Sequence, residues 1–171
     1  MGDPSRLIAV LLDVERHVSE LGWDQPARLF ALVGTRELLQ MEPQLAGRVP
    51  EGSEDGMSAV EQDEFRAGDD LFERLAGIYF PDSVEGVALS LERTFLPSTF
   101  EADVPERDDE AVEFVRNHPE HHDVRAVVGV LRDGSRYGLA RIKSHPDDLL
   151  QGTDIIPNLP DALAQTLRSE A

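Results

Sequence analysis

Four side chains able to ligate a metal stand within six positions of the stretch "NHPEHHDVR", residues 117–125: His118, His121, His122 and Asp123. A histidine zinc site needs neutral imidazoles converging at about 2.0–2.1 Å, usually with a carboxylate or water completing the shell. His118 and His121 are spaced to share a helix face. Pro119, however, pushes His118 out of helical geometry, and the His-Glu-x-x-His order of a zinc peptidase is absent. The stretch therefore reads as a turn between a helix end and a strand starting near Val124, with no metal and no cofactor.

Nucleophilic and phosphate chemistry find less. Ser135 in "DGSRYG" is not the serine of a G-x-S-x-G elbow, and an Asp-Gly turn explains its glycine neighbours. Lys143 is the only lysine, and no glycine-rich loop precedes it, so there is no P-loop; no G-x-G-x-x-G fingerprint follows a strand. The adjacent acids Asp69–Asp70 and Asp147–Asp148 fall on expected loops, where solvated charge is the simpler reading. The acidic segment lacks the alternating ligand spacing of a calcium loop.

What remains is a polar set on or beside the expected strands. Trp23, Asp24 and Arg28 stand at the first strand, Glu92 and Arg93 on the second, and Arg125 and Arg141 on a hairpin. Arginines leaving one sheet face can hold a carboxylate or phosphate in a two-pronged hydrogen bond. The candidate ligand-binding residues are thus Trp23, Asp24, Arg28, Arg93, Arg125 and Arg141.

Composition narrows the partners. The formal net charge is −18 over 171 residues. Nucleic-acid affinity comes from cations replacing counterions on phosphate, so DNA and RNA are not expected partners. An anionic membrane surface is disfavoured for the same reason. The chain has no cysteine, which removes disulfides and thiolate chemistry. The first residues, "MGDPSRLIAVLLDVERHV", lack a basic leader and turn charged quickly, so a cytoplasmic protein is expected.

The elements that must position these groups follow from periodicity. Leu7, Leu11, Val14, Val18 and Leu21 make a helical stripe, widened by Ile8 and Leu12, with Gly22 as its stop. Asp13, Glu15, Arg16, His17 and Glu20 are read as the solvated face. "ARLFALV" is apolar on both faces, the pattern of an interior strand. Thr35 is expected to cap a second helix through Leu38, Leu39, Met41 and Leu45, limited by Pro43. Residues 47–70 carry glycine, proline and acids and read as a mobile loop, with Ser58 and Glu61 as a capping box. A helix over 70–79 follows, then the strand "VALSLERTFL", a short acidic helix over 106–117, a hairpin about Asp133–Gly134 and a last helix through Leu159, Leu163 and Leu167. The expected fold class is α+β: a single four-stranded, partly antiparallel sheet with helices packed against it, as one domain over 1–171.

The blocks "ERHVSELGWDQPARLFALVGTRELLQMEPQLA", "PDSVEGVALSLERTFLP", "VRAVVGVLRDGSRYGLARIKSH" and "LLQGTDIIPNLPDALAQTL" together resemble a family of conserved hypothetical proteins from high-GC Gram-positive, actinobacterial bacteria. The resemblance implies a small cytoplasmic protein without an assigned activity and supplies no catalytic residues. The His121–His122 pair departs from the family pattern.

These readings converge on a non-catalytic binding, adaptor or regulatory module, whose partner is another protein or a small anionic ligand. The alternative is a small-molecule-binding protein or hydrolase using the arginine-lined sheet face with His118 or His145. The first helix carries more apolar surface than a single packed stripe needs, and the surplus around Ile8, Val10 and Leu12 suggests a homodimer.

Overall fold

The computed structural model describes residues 5–44, 56–62, 65, 71–95, 110, 122–153, 155–156 and 158–167. Among them, in chain order, lie α1 (Ser5–Glu20), β1 (Arg28–Gly34), α2 (Thr35–Met41), β2 (Met57–Glu61), α3 (Leu71–Ala76), β3 (Gly86–Phe95), β4 (His122–Leu131), β5 (Arg136–Ile142), β6 (His145–Gly152) and α4 (Leu159–Gln165). The strands form one six-stranded sheet in the order β2-β1-β3-β4-β5-β6. Every neighbouring pair is antiparallel.

The α+β class holds, but the sheet has six strands rather than four. The two that periodicity missed are its edges. β2 lies inside the segment read as a loop, so Ser58 and Glu61 belong to a strand and not to a capping box. β6 runs through "HPDDLLQG", where Asp147 and Asp148 had suggested surface loop. Edge strands pair on one side only and can carry more polar residues, and that weakens their alternation.

The central strands are apolar on both faces because both are covered. On one face Leu29 and Ala31 of β1, Val87, Leu89 and Leu91 of β3, and Ala126, Val128 and Val130 of β4 pack with Leu71 and Leu75 of α3 and Leu159 and Leu163 of α4. On the other face Phe30, Leu32, Ala88, Val127 and Leu139 receive Leu7, Val10, Leu11, Val14 and Val18 of α1. Each such side chain contributes about 1.5–3 kcal/mol when fully buried. Gly129 lets α1 approach closely: a Cβ there would lie 2.7 Å from Leu11 Cδ2 and 3.1 Å from Leu7 Cδ1.

Several local expectations change. Gly34, extended at φ −61, takes the N-cap position of α2, and the Thr35 hydroxyl shares a hydrogen bond with Ser58 at 2.8 Å instead of capping. α2 ends at Met41, before Pro43, which matches the proline limit. α3 is shorter than the expected 70–79. The helix expected over 106–117 and the residues His118 and His121 fall outside the described residues, apart from Glu110. His122 opens β4, so the expected turn has already ended there, and Asp123 follows it within the strand. Leu12 and Leu21 are exposed while Val10 is buried, which narrows the apolar surplus on α1. No described helix is long and apolar enough to cross a membrane.

The hairpin between β4 and β5 turns at Gly134, whose φ of +96 suits a residue without a Cβ. The Asp133 carboxylate accepts the Ser135 backbone N–H at 2.8 Å. That bond, with one from the Ser135 side chain, holds its carboxyl below the ordinary value. Beside the turn, Arg132 binds the hairpin to distant chain. Its guanidinium donates to the carbonyls of Val84 (2.6 Å), Pro81 (2.9 Å) and Phe80 (3.1 Å), and to that of Leu167.

Candidate functional site

Period two along the strands decides which candidates share a face. Arg28 on β1, Glu92 on β3, Arg125 on β4 and Arg141 on β5 all point to the side covered by α1. Arg125 stands opposite Glu92 in one register and opposite Arg141 in the next, so the three form a row across the sheet. Arg93 belongs to the opposite face by the same alternation and is exposed, which separates it from the others.

Two like charges directly opposite in an antiparallel pair repel, with Cβ atoms about 4.5–5.5 Å apart. The protein answers with a carboxylate from above. Glu15, on the face of α1 turned to the sheet, is 5% exposed, and its Oε1 accepts Arg141 Nε at 2.5 Å while lying 3.6 Å from Arg125 Nη2. One turn on, the Ser19 hydroxyl donates to the same oxygen at 3.1 Å and accepts from Arg125 Nη2 at 2.6 Å. Burial pushes the Glu15 carboxyl upward. The hydrogen bond and charge of Arg141, the Ser19 bond and the Arg125 charge outweigh burial, so the group stays below its ordinary value. Glu15 is a fixed anion.

The turn after α1 completes the site. Trp23 lies between two left-handed residues, Gly22 at φ 88 and Asp24 at φ 65. Its indole covers Arg125, whose Cζ is 4.7 Å from the ring centroid, and Lys143 Nζ is 5.7 Å from the same ring. Such stacking stabilises a guanidinium without using its in-plane N–H groups. Glu92 fastens the turn: one oxygen accepts the Asp24 N–H at 3.0 Å and the other the Gln25 N–H at 2.7 Å. Arg28 donates to Glu61 at 2.7 Å and to Gln25 at 3.0 Å. His17 of α1 approaches Glu61 to 3.9 Å.

One imbalance stands out. Among the described residues, the buried side-chain polar atoms without a hydrogen-bond partner are Arg125 Nε, Arg125 Nη1 and Arg28 Nε. All three are donors on guanidinium groups of this one sheet face. Buried donors of this kind ordinarily find an acceptor.

Of the six candidate ligand-binding residues, the structure brings Trp23, Arg125 and Arg141 into one network and sets Arg28 and Asp24 at its margin. The Asp24 side chain is exposed, and its contribution is its backbone. Glu15, Ser19 and Lys143 join the network without having been singled out by the sequence. Leu7, Leu11 and Glu15 succeed one another at intervals of four on the stripe turned to the sheet, a signal that Glu15 belongs under the helix rather than on its solvated face. Among the described residues no group of three or more histidine, aspartate or glutamate side chains could hold a metal ion.

The model of one protein family, described as PPA1309-like protein, matches residues 7–168. The chain belongs to the PPA1309-like protein family. The match takes in every element of the sheet and the whole polar network, from Glu15 on α1 to Lys143 after β5. No curated protein and no solved structure matches the chain significantly.

Proposed function

We propose that this protein is a non-catalytic binding module, of adaptor or regulatory type, that works in the cytoplasm of actinobacteria and reads its partner at the sheet face beneath the end of α1. The observation that supports this is the trio of unpaired guanidinium donors on that face, Arg125 Nε, Arg125 Nη1 and Arg28 Nε. A face that leaves only donors unmet suits an acceptor brought by something else: an anionic small molecule or an acidic group on a protein partner. The groups that could react are already committed. Glu15 is paired with two arginines, and Glu92 accepts hydrogen bonds from two backbone N–H groups. The Ser19 hydroxyl accepts from Arg125, which draws density from the oxygen and opposes its use as a nucleophile. That argues against the hydrolase alternative. Nucleic acid is no partner, because a net charge of −18 opposes each phosphate contact.

The test is a thermal-shift screen of the purified protein against small carboxylates, phosphates, neutral metabolites and acidic peptides. A ligand that binds only the native state raises the melting temperature in proportion to its occupancy. At least one compound should stabilise the wild type and lose its effect in an Arg125→Lys variant. Stabilising compounds that act equally on both proteins, or turnover of any compound during the screen, would refute the reading.

A further inference from the structure

We propose that Arg125, Trp23 and Lys143 form a subsite for a carboxylate group, which enters by displacing the Trp23 indole and takes the Arg125 Nε–H that is unpaired in the free protein. This deepens the binding reading above, on which it rests, by naming the ligand class.

Four observations lead there. Arg125 is 3% exposed, yet its Nε and Nη1 have no acceptor among the described residues. A buried unmet donor costs roughly one to a few kcal/mol, more for a charged group, so the free protein holds the site at a cost that a ligand can recover. Charge then selects the ligand: the unmet donors belong to a cation, and Arg125 shares the Glu15 carboxylate with Arg141. The site therefore takes an anion, and a planar monovalent carboxylate matches a guanidinium. A phosphate dianion would meet stronger repulsion from a chain of net charge −18.

Shape agrees with charge. A planar carboxylate can lie in the plane of the Arg125 guanidinium once the indole, 4.7 Å from Cζ in the free protein, has swung away. Lys143, exposed and 5.7 Å from that ring, adds a cation at the rim where the anion arrives. Entry has a route as well. The two unpaired nitrogens are closed off from solvent, and the group stacked over them sits on a turn flanked by left-handed residues, Gly22 and Asp24. The turn is fastened by Glu92 on the Asp24 and Gln25 N–H groups and by the Gln25 side chain, which donates to Leu21 and accepts from Arg28. The Trp23 ring is held by stacking and can swing while the turn stays fastened.

The only tryptophan in the chain is the covering residue, so intrinsic fluorescence reads this event alone. The experiment titrates the full chain at constant ionic strength with sodium acetate, inorganic phosphate and sodium chloride, following Trp23 emission. Acetate should give a saturable red shift with a dissociation constant in the millimolar range, and chloride none. Arg125→Lys keeps the charge but loses the fork, and should weaken acetate binding about tenfold or more. Lys143→Gln, an exposed change that leaves the core untouched, should weaken it severalfold even if Arg125→Lys does not fold. Arg136→Gln, on the far hairpin, should bind as the wild type does. Absence of a saturable acetate effect, tighter binding of phosphate, or equal binding by folded Arg125→Lys would each overturn the proposal. If acetate fails while a neutral compound or peptide from the screen still shifts Trp23, the carboxylate assignment falls and the binding reading stands. If nothing moves Trp23, both fall.

Discussion

Glu15→Gln tests how the buried charges are held. The substitution keeps the shape and one acceptor oxygen but removes the charge shared by Arg125 and Arg141. Deleting one partner of a buried ion pair costs about 3–5 kcal/mol, because the other is left uncompensated. Two features reduce that figure here. The Arg141 side chain is 22% exposed, so water takes up part of its charge, and the glutamine oxygen still accepts a hydrogen bond. About 2–3 kcal/mol remains. In a domain of this size each kcal/mol moves the melting temperature by about 2–4 °C, so the variant should melt roughly 5–10 °C below wild type at pH 7. The pH dependence has a definite sign. The folded carboxyl is depressed below its ordinary value, so its stabilisation is present above that ordinary value and is lost as pH falls through the depressed one. Glutamine does not titrate, so the two proteins should converge in acid. Calorimetry from pH 7 down to the onset of acid unfolding checks this. A gap under about 1 °C at pH 7, or one that persists undiminished in acid, would refute the reasoning.

Gly129→Val places a branched side chain where a Cβ already lies 2.7 Å from Leu11, and should cost about 1–3 kcal/mol in urea unfolding. Arg132→Ala removes the donor that four backbone carbonyls share and should cost roughly 1–3 kcal/mol, with faster amide exchange at Phe80–Val84 than in β3. Zinc at a modest excess should leave the melting temperature unchanged within about 1 °C; a shift abolished by the His121→Ala, His122→Ala pair would restore the metal reading. The partly covered Ile8 and exposed Leu12 on α1 are the surface on which a homodimer would form. Sedimentation equilibrium should show association that strengthens with salt, since two acidic chains repel. A monomer at micromolar concentration in low and high salt rules it out.

How much of this the sequence carried depended on which physical signal each residue left. The central strands were legible because burial on both faces writes continuous apolar runs such as "RLFALVG" and "AVVGVL". α1 was legible because its stripe is long and ends at Gly22. β2 and β6 were not, because an edge strand is stabilised by pairing on one side and needs little apolar content: "MSAVE" and "HPDDLLQG" look like loop. Within the site, the sequence put Arg28, Arg93, Arg125 and Arg141 in one set; only the strand register shows that Arg28, Arg125 and Arg141 share a face and that Arg93 lies on the other. Glu15 was misread as solvated because an acid on a helix is ordinarily exposed. Its interval of four from Leu11 was the available signal, and it gains force only once two arginines are known to lie below. Arg132 left no signal, since its partners are carbonyls far apart in sequence.

The most direct test of the account follows the Arg125 Nε–H itself, by nitrogen-edited NMR of the side-chain guanidinium resonances during an acetate titration. The Arg125 Nε–H should be unpaired in the free protein, exchange slowly because it is buried, and shift strongly downfield as acetate saturates, in step with Trp23 emission. An Arg125 Nε–H already at a hydrogen-bonded position in the free protein, and unmoved by acetate at any concentration, would contradict it.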